Sequence, residues 1–313
     1  MGLRDWQAAQ RRARDMEADG IAVAGEAVTI QKAIDAFKAD TKNNVEPSTL
    51  KQYRILLSRL SSFCESHGYV FLKQLGVVEV REFRGSWTTY SPRTASKHIE
   101  RLKRFFNWCV ENGWLTVSPA KPLKPPKVSE TDVVPFTEEE VGKIMNACES
   151  YEGPNKPRLI VLTNLMLATG LRISDAVTVS KDKFVHSKDG WMMELRTAKT
   201  GTAVACPIQD GLAKAVLKLS GEHPFWTGNS DLEDRTKNWR KIYTTVFKTA
   251  GVKGTPHMLR HCAAKRLLVA GVPISHVATL LGNTEQVCRK SYAKWIPERQ
   301  KALNEAIKKA WTS

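Results

Sequence analysis

No stretch of these 313 residues approaches the ~20 consecutive apolar positions that a membrane-spanning helix needs. The opening residues, MGLRDWQAAQRRARDMEADG, lack the apolar core of a secretory signal, so a cytosolic protein is expected. Cysteine forms no pattern: Cys64, Cys109, Cys148, Cys206, Cys262 and Cys288 contain no C-x-x-C pair. Neither a disulfide framework nor a zinc ribbon is indicated, and buried thiols in a reducing compartment are expected. No G-x-x-x-x-G-K-[ST] phosphate loop, internal repeat or low-complexity tract occurs. Acidic charge is also short, since 32 Asp and Glu face 48 Lys and Arg. The formal charge of +16 and a pI near 9.6 call for a polyanionic partner, because cations in that excess repel one another unless phosphates offset them. Nucleic acid comes first as that partner and an anionic membrane surface second.

What is present suffices for two domains, with 42% hydrophobic residues. Residues 1–28 form a basic, helix-prone extension with Arg11, Arg12 and Arg14 clustered. From 29 to 117 the chain reads as four amphipathic helices and no evident strand. In the last, PRTASKHIERLKRFFNWCVENG, the residues Ile99, Leu102, Phe106, Cys109 and Val110 fall on one face and Arg93, Lys97, Arg101 and Arg104 on another. A row of four cations suits a helix laid along DNA, although such residues also serve simply to solvate a helix. Residues 118–135 read as a linker, since Pro119, Pro122, Pro125 and Pro126 deny helix continuation, and Lys121, Lys124 and Lys127 would suit a phosphate backbone. The second domain, 136–313, opens with a capping box at Thr137 and Glu140. A long apolar helix follows, then two strands, WMMELRTAK and TAVACPI, joined at Lys199-Thr200-Gly201. The fold class is mainly helical, with a small antiparallel sheet in the second domain.

Four places in that domain carry chemistry. In GTPHMLRHCAAKRLLVAG, Thr255 suits an N-cap, Pro256 the first helical position and Gly271 the stop. His257 and Arg260 then lie one turn apart where free N–H groups and the helix dipole favour a phosphate. His257 and His261 have metal-ligand spacing, but Met258 stands where a zinc protease needs glutamate. In ATGLRISD, Arg172 near a core calls for an anion: a substrate, a structural pair with Asp175, or both. Lys199 occupies a hairpin tip from which it can swing over a ligand. In GNTEQVCRKSYAKW, Tyr292 stands among Arg289, Lys290 and Lys294 with almost nothing to bury, so an anionic substrate explains it better than a core does.

In the order Arg172, Lys199, His257, Arg260, Tyr292, these residues resemble the tyrosine recombinase (phage integrase) family. ATGLRISD is similar to its first arginine motif, HMLRH matches H-x-L-R-H, and LLGN precedes SY at the family's distance. The resemblance runs from about Thr29 to the C-terminus and implies a helical SAM-like core-binding domain ahead of the catalytic domain. It implies that Tyr292 attacks a DNA phosphodiester, giving a 3′-phosphotyrosyl bond and a free 5′-hydroxyl, without metal, ATP or other cofactor. Arg172 and Arg260 would clamp the phosphate oxygens, and Lys199 would protonate the leaving oxygen. His257 would assist proton transfer with the tyrosine, whose unperturbed pKa is ~10. Arg289 and Lys290 would lower that pKa or touch DNA, and His261 would support the phosphate or backbone.

Asn283 departs from the pattern, standing where the family usually has histidine or tryptophan. It can donate a hydrogen bond but cannot carry charge, and losing one such bond would cost ~3 kcal/mol. The resemblance further implies double-stranded DNA held between the two domains, a tetrameric synapse of identical chains, and accessory DNA-bending proteins as partners in the cytoplasm or nucleoid. A last helix from Pro297 carries Leu303, Ala306, Ile307, Ala310 and Trp311 on one stripe, to pack on its own domain or on a neighbouring subunit. Three rival readings remain: a DNA-binding protein whose catalysis has weakened, a type IB topoisomerase-like relaxing enzyme, and a membrane-surface protein.

Overall fold

Local capping chemistry sets the first helices. In this computed structural model, which describes residues 27–128, 134–226, 230–295 and, beyond them, 301, 304, 308 and 311, the Thr29 hydroxyl accepts from the Lys32 N–H and opens α1 (Ile30–Thr41). Proline starts both α2 (Pro47–Ser66) and, after α3 (Val77–Gly85), α4 (Pro92–Glu111). Contacts divide the chain into two compact units, Met1–Glu130 and Thr131–Ser313.

The first unit closes around Phe37, which meets Tyr53, Phe105 and Trp108 edge to face. Trp108 Nε1 donates to Asp40 at 2.8 Å, so its polar end is satisfied. On α4 the residues Ile99, Leu102, Phe106 and Cys109 are buried as expected, but Val110 is only half-buried. His98, Phe105 and Trp108 are buried as well, because the helix is covered over a wider arc than one stripe. Arg93, Lys97 and Arg104 are exposed and Arg101 half-buried, with Lys97 paired to Glu100 and Arg104 to Glu111. The segment from 118 is in part core rather than free connector. Ala120 and Leu123 are buried in the first unit's core, since proline forbids helix but not packing, while Lys121, Lys124 and Lys127 stay exposed.

In the second unit the Thr137–Glu140 capping box forms at α5 (Glu138–Glu149). The helix α6 (Lys156–Thr169) runs through the core, followed by the short α7 (Ile173–Thr178). The antiparallel sheet has three strands rather than two: β1 (Phe184–Ser187), β2 (Gly190–Arg196) and β3 (Ala203–Ile208), in that order. The first is four residues long with only Phe184 buried, too short for an alternating pattern to register. Pairing of Phe184 with Met193 and of Met193 with Cys206 sets the register. The helices α8 (Asp210–Lys218), α9 (Leu232–Thr249), α10 (His257–Val269), α11 (Ile274–Leu281) and α12 (Glu285–Tyr292) complete the unit. Pro256, not Thr255, is the cap of α10, and no side chain caps it. A separate small core joins Ala264 and Leu268 of α10, Ile274, Val277, Ala278 and Leu281 of α11, and Cys288 and Tyr292 of α12.

Most of the N-terminal extension (1–26) lies outside the described residues, as do Pro297, Leu303, Ala306, Ile307 and Ala310. Trp311 is helical and 78% exposed, so it does not pack on its own domain. All six cysteines are free and buried. Among the described residues no helix is long and apolar enough to cross a membrane.

Candidate active site

The site begins where α6 ends. Gly170 stops that helix in the left-handed region (φ 66°), and a Cβ there would come within 2.5 Å of Leu281 Cδ2. Only glycine lets α11 approach so closely. The chain then extends through Arg172, which stands at the cap position of α7 with 18% of its side chain exposed. Arg172 Nη1 is 3.7 Å from Asp175 Oδ2, and Nη2 donates to Asn283 Oδ1 at 2.9 Å. Nη1 is buried without a hydrogen-bond acceptor, and Asp175 Oδ2 is buried without a hydrogen-bond donor. A buried cationic donor left in that state is costly unless an anion completes it.

Asp175 is itself 3% exposed, and its Oδ1 accepts the Ala198 N–H at 2.9 Å. One carboxylate therefore holds the Arg172 side of the site and the base of the hairpin that carries Lys199. The hairpin is closed by Thr197 N–H to Thr202 O and Gly201 N–H to Thr197 O, with the Thr197, Thr200 and Thr202 hydroxyls linked in a row at 2.8 Å. Lys199 is exposed at its tip.

Arg260, on the first turns of α10, is 2% exposed. Its Nη1 donates to Gly170 O at 2.9 Å and its Nη2 to Leu281 O at 2.6 Å. Two backbone carbonyls thus fix the plane of the guanidinium and leave its remaining donors for an anion. Burial and then Arg172 pull its pKa down to about 10, so it stays charged at neutral pH. His257 meets solvent at the start of α10. The protein around it, then Arg260, Arg172 and Lys199, lower its pKa.

Tyr292 overturns the expectation drawn from its flanking sequence. It is 2% exposed and belongs to the small core, with its ring 5.7 Å from that of Trp295. The apolar partners come from α10 and α11, which a reading of the flanks does not reach. The cations that act on it are Arg260 and Arg172, not Arg289 and Lys290, and burial outweighs them to push its pKa up to about 12. Arg289 is exposed and paired with Glu285, and Lys290 is exposed. The partner of the hydroxyl is His261 rather than His257: Nδ1 lies 2.6 Å from Tyr292 Oη. His261 is 8% exposed, and burial, His257 and Arg260 hold it down to about 4. The two imidazoles meet edge to face with centroids 4.7 Å apart.

Asn283, expected to donate to phosphate, has its carbonyl oxygen turned to Arg172, while its amide reaches Cys288. Sequence reasoning missed Cys288 and the carbonyls of Gly170 and Leu281. The spacing of Cys288 four residues before Tyr292 was the one available signal, since it places both on the same face of α12.

The sequence profile of the phage integrase family matches residues 135–295, and that of the phage integrase SAM-like domain matches residues 29–125. Among curated proteins, the tyrosine recombinase XerD of Shewanella oneidensis is 23% identical over 290 residues, covering 87% of this chain and 95% of the relative. The tyrosine recombinase XerA of Pyrococcus furiosus is 29% identical over 229 residues, covering 71% and 75%. Among solved structures, a lambda integrase dimer bound to a COC′ core site superposes with a TM-score of 0.70 at 17% identity, covering 95% of this chain and 88% of that one. The XerH recombinase in a post-cleavage complex with palindromic difH gives 0.66 at 17%, covering 83% and 80%. These structural likenesses speak to the fold.

Proposed function

The chain belongs to the phage integrase family of tyrosine recombinases, and we propose that it cuts and rejoins duplex DNA at specific sites through a 3′-phosphotyrosyl bond formed by Tyr292. One observation carries this reading. Side chains spread over 120 residues converge: Arg260 is anchored on Gly170 O and Leu281 O, Arg172 on Asn283 just beyond α11, and His261 meets both the His257 ring at 4.7 Å and the Tyr292 hydroxyl at 2.6 Å.

In that neighbourhood a phosphodiester offers the hydrogen-bond acceptor that Arg172 Nη1 lacks. Arg172 and the carbonyl-anchored Arg260 stabilise the charge that builds on its oxygens. His257, at the positive end of α10, faces the same anion. Lys199 protonates the leaving 5′-oxygen. The tyrosyl ester retains the energy of the broken bond, so rejoining needs no nucleotide hydrolysis. Arg93, Lys97, Arg101 and Arg104 on α4, with Lys121, Lys124 and Lys127, contact the DNA backbone. The cut ends are exchanged within a homotetramer on two duplexes.

Covalent trapping tests the reading. Wild-type protein and Tyr292→Phe are incubated with a pool of nicked duplexes whose central segment is randomised, and adducts that resist denaturation are recovered. An adduct in the wild type alone is the expected outcome. DNA binding with no adduct on any duplex would instead make this a DNA-binding protein that has lost its chemistry.

A further inference from the structure

Two histidines of α10 meet edge to face, and only one of them reaches Tyr292. His257 is at the solvent end of α10, where an incoming phosphate would stand. His261, one turn further in, is buried against the tyrosine, with Nδ1 2.6 Å from Oη. We infer that His261, and not His257, takes the proton from Tyr292 as it attacks. The inference rests on the function proposed above and gives proton transfer to a residue for which the resemblance implies only support of the phosphate or backbone.

The geometry argues for it in three ways. The contact is short and direct, within the reach a general base needs. Both partners are nearly closed to solvent, His261 at 8% and Tyr292 at 2%, so bulk water does not compete for the proton. And α10 and α12 are joined through the small core, which holds the pair in place. With its own proton on Nε2, the His261 ring presents a lone pair at Nδ1 to the phenol.

In the DNA-free chain the proton stays on the tyrosine, because burial holds His261 down and Tyr292 up. A phosphodiester held by Arg172 and Arg260 brings negative charge to the imidazole and an electrophile to the phenol, and both changes drive the transfer. The Oη–P bond forms as the Oη–H bond breaks and the proton passes to Nδ1. The P–O5′ bond breaks, and the 5′-oxygen takes a proton from Lys199. In rejoining, the 5′-hydroxyl attacks and returns its proton to Lys199, while the departing Oη recovers its own from the His261 imidazolium. No oxidant, reductant or further reactant enters.

The test uses the full chain and a nicked duplex recovered from the randomised pool, synthesised with either oxygen or sulfur at the 5′-bridging position. Single-turnover adduct formation is followed for the wild type, His261→Gln, His261→Asn and Lys199→Ala, with DNA affinity and thermal midpoint measured alongside. Loss of a general base slows the reaction by about 10²–10⁴-fold. Both His261 variants are expected to show that loss with either bridging atom, while sulfur, a leaving group that needs no proton, restores Lys199→Ala. His261→Asn can still accept the tyrosine's hydrogen bond but not its proton, so a wild-type rate in that variant would reduce the contact to positioning and overturn the inference. Faster cleavage in either variant would make the contact a lock on the nucleophile, and rescue of a His261 variant by sulfur would place its action on the leaving group. Either result overturns it. A wild-type adduct with unaffected His261 variants removes this inference alone, whereas no wild-type adduct on any duplex removes the proposed function with it.

Discussion

Asp175 accepts the Ala198 N–H on one carboxylate oxygen at 2.9 Å while the other faces Arg172 at 3.7 Å, so the arginine and the lysine hairpin of the site hang from a single side chain. Replacing Asp175 by Asn keeps an acceptor for Ala198 but removes the charge beside Arg172. Replacing it by Ala removes both and leaves a largely buried guanidinium uncompensated. Asp175→Ala is expected to lose about 3 kcal/mol of stability and Asp175→Asn less, as measured by urea unfolding. Cleavage should fall in both, with Asp175→Asn retaining more because the hairpin stays in place. Equal rates in the two variants would show that the hairpin bond does not matter.

Gly170 caps the end of α6 and faces Leu281 of α11. An alanine there meets Leu281 Cδ2 at 2.5 Å in a backbone conformation that disfavours a Cβ, and it shifts a carbonyl that holds Arg260. Gly170→Ala is expected to cost about 2–3 kcal/mol and to lower cleavage beyond what the lost stability explains. Gly282→Ala, whose Cβ would meet Thr197 Cγ2 at 3.1 Å, should also destabilise, since its φ of 57° is unfavourable for alanine, but by less. Thermal midpoints of the two variants give the comparison.

Asn283 acts in this structure as an acceptor for Arg172 rather than as a free donor. Asn283→Leu removes that acceptor from a charged partner, and the expected loss is about 1.5–3 kcal/mol in stability with a slower single-turnover cleavage. Asn283→His is expected to cleave faster than Asn283→Leu, because a neutral imidazole can accept from Arg172 and then donate to the phosphate. If Leu and His behave alike, the hydrogen bond to Arg172 has no part in the chemistry.

Acid sensitivity follows from His261. Its pKa is held down to about 4 in the folded chain against 6.5 for an unperturbed histidine. Between those values the unfolded chain binds a proton that the folded chain refuses. The contribution is therefore complete above pH 6.5 and declines as pH falls toward 4, by about 3 kcal/mol. Urea unfolding at pH 7 and pH 4.5 should show a larger drop for the wild type than for His261→Gln. Parallel drops would mean that His261 is not held neutral.

Much of the site was legible because its motifs are local. Arg172 sits two residues after the glycine that ends a helix, His257 and Arg260 share one helical turn, and Lys199 lies in a two-strand hairpin, all of which short windows reveal. The burial of Tyr292 was not legible. The residues around it, Leu281 and Ala264 among them, are nearer in space than in sequence, and the flanking cations dominate any window centred on it. The same limit hid the anchoring of Arg260 to Gly170, 90 residues away, and of Arg172 to Asn283, 111 residues away. β1 escaped because four residues with one buried position carry no period.

Composition and motif order alone establish a basic, mainly helical chain with the residue set of a phosphotyrosine strand transferase, since charge balance, caps and short spacings are properties of neighbouring residues. Which histidine meets the tyrosine, which carbonyls hold the second arginine, and how one aspartate joins the first arginine to the lysine hairpin are matters of packing. They depend on how close α6, α10, α11 and α12 come to one another, and that distance is set by glycines and core side chains whose partners lie far along the chain.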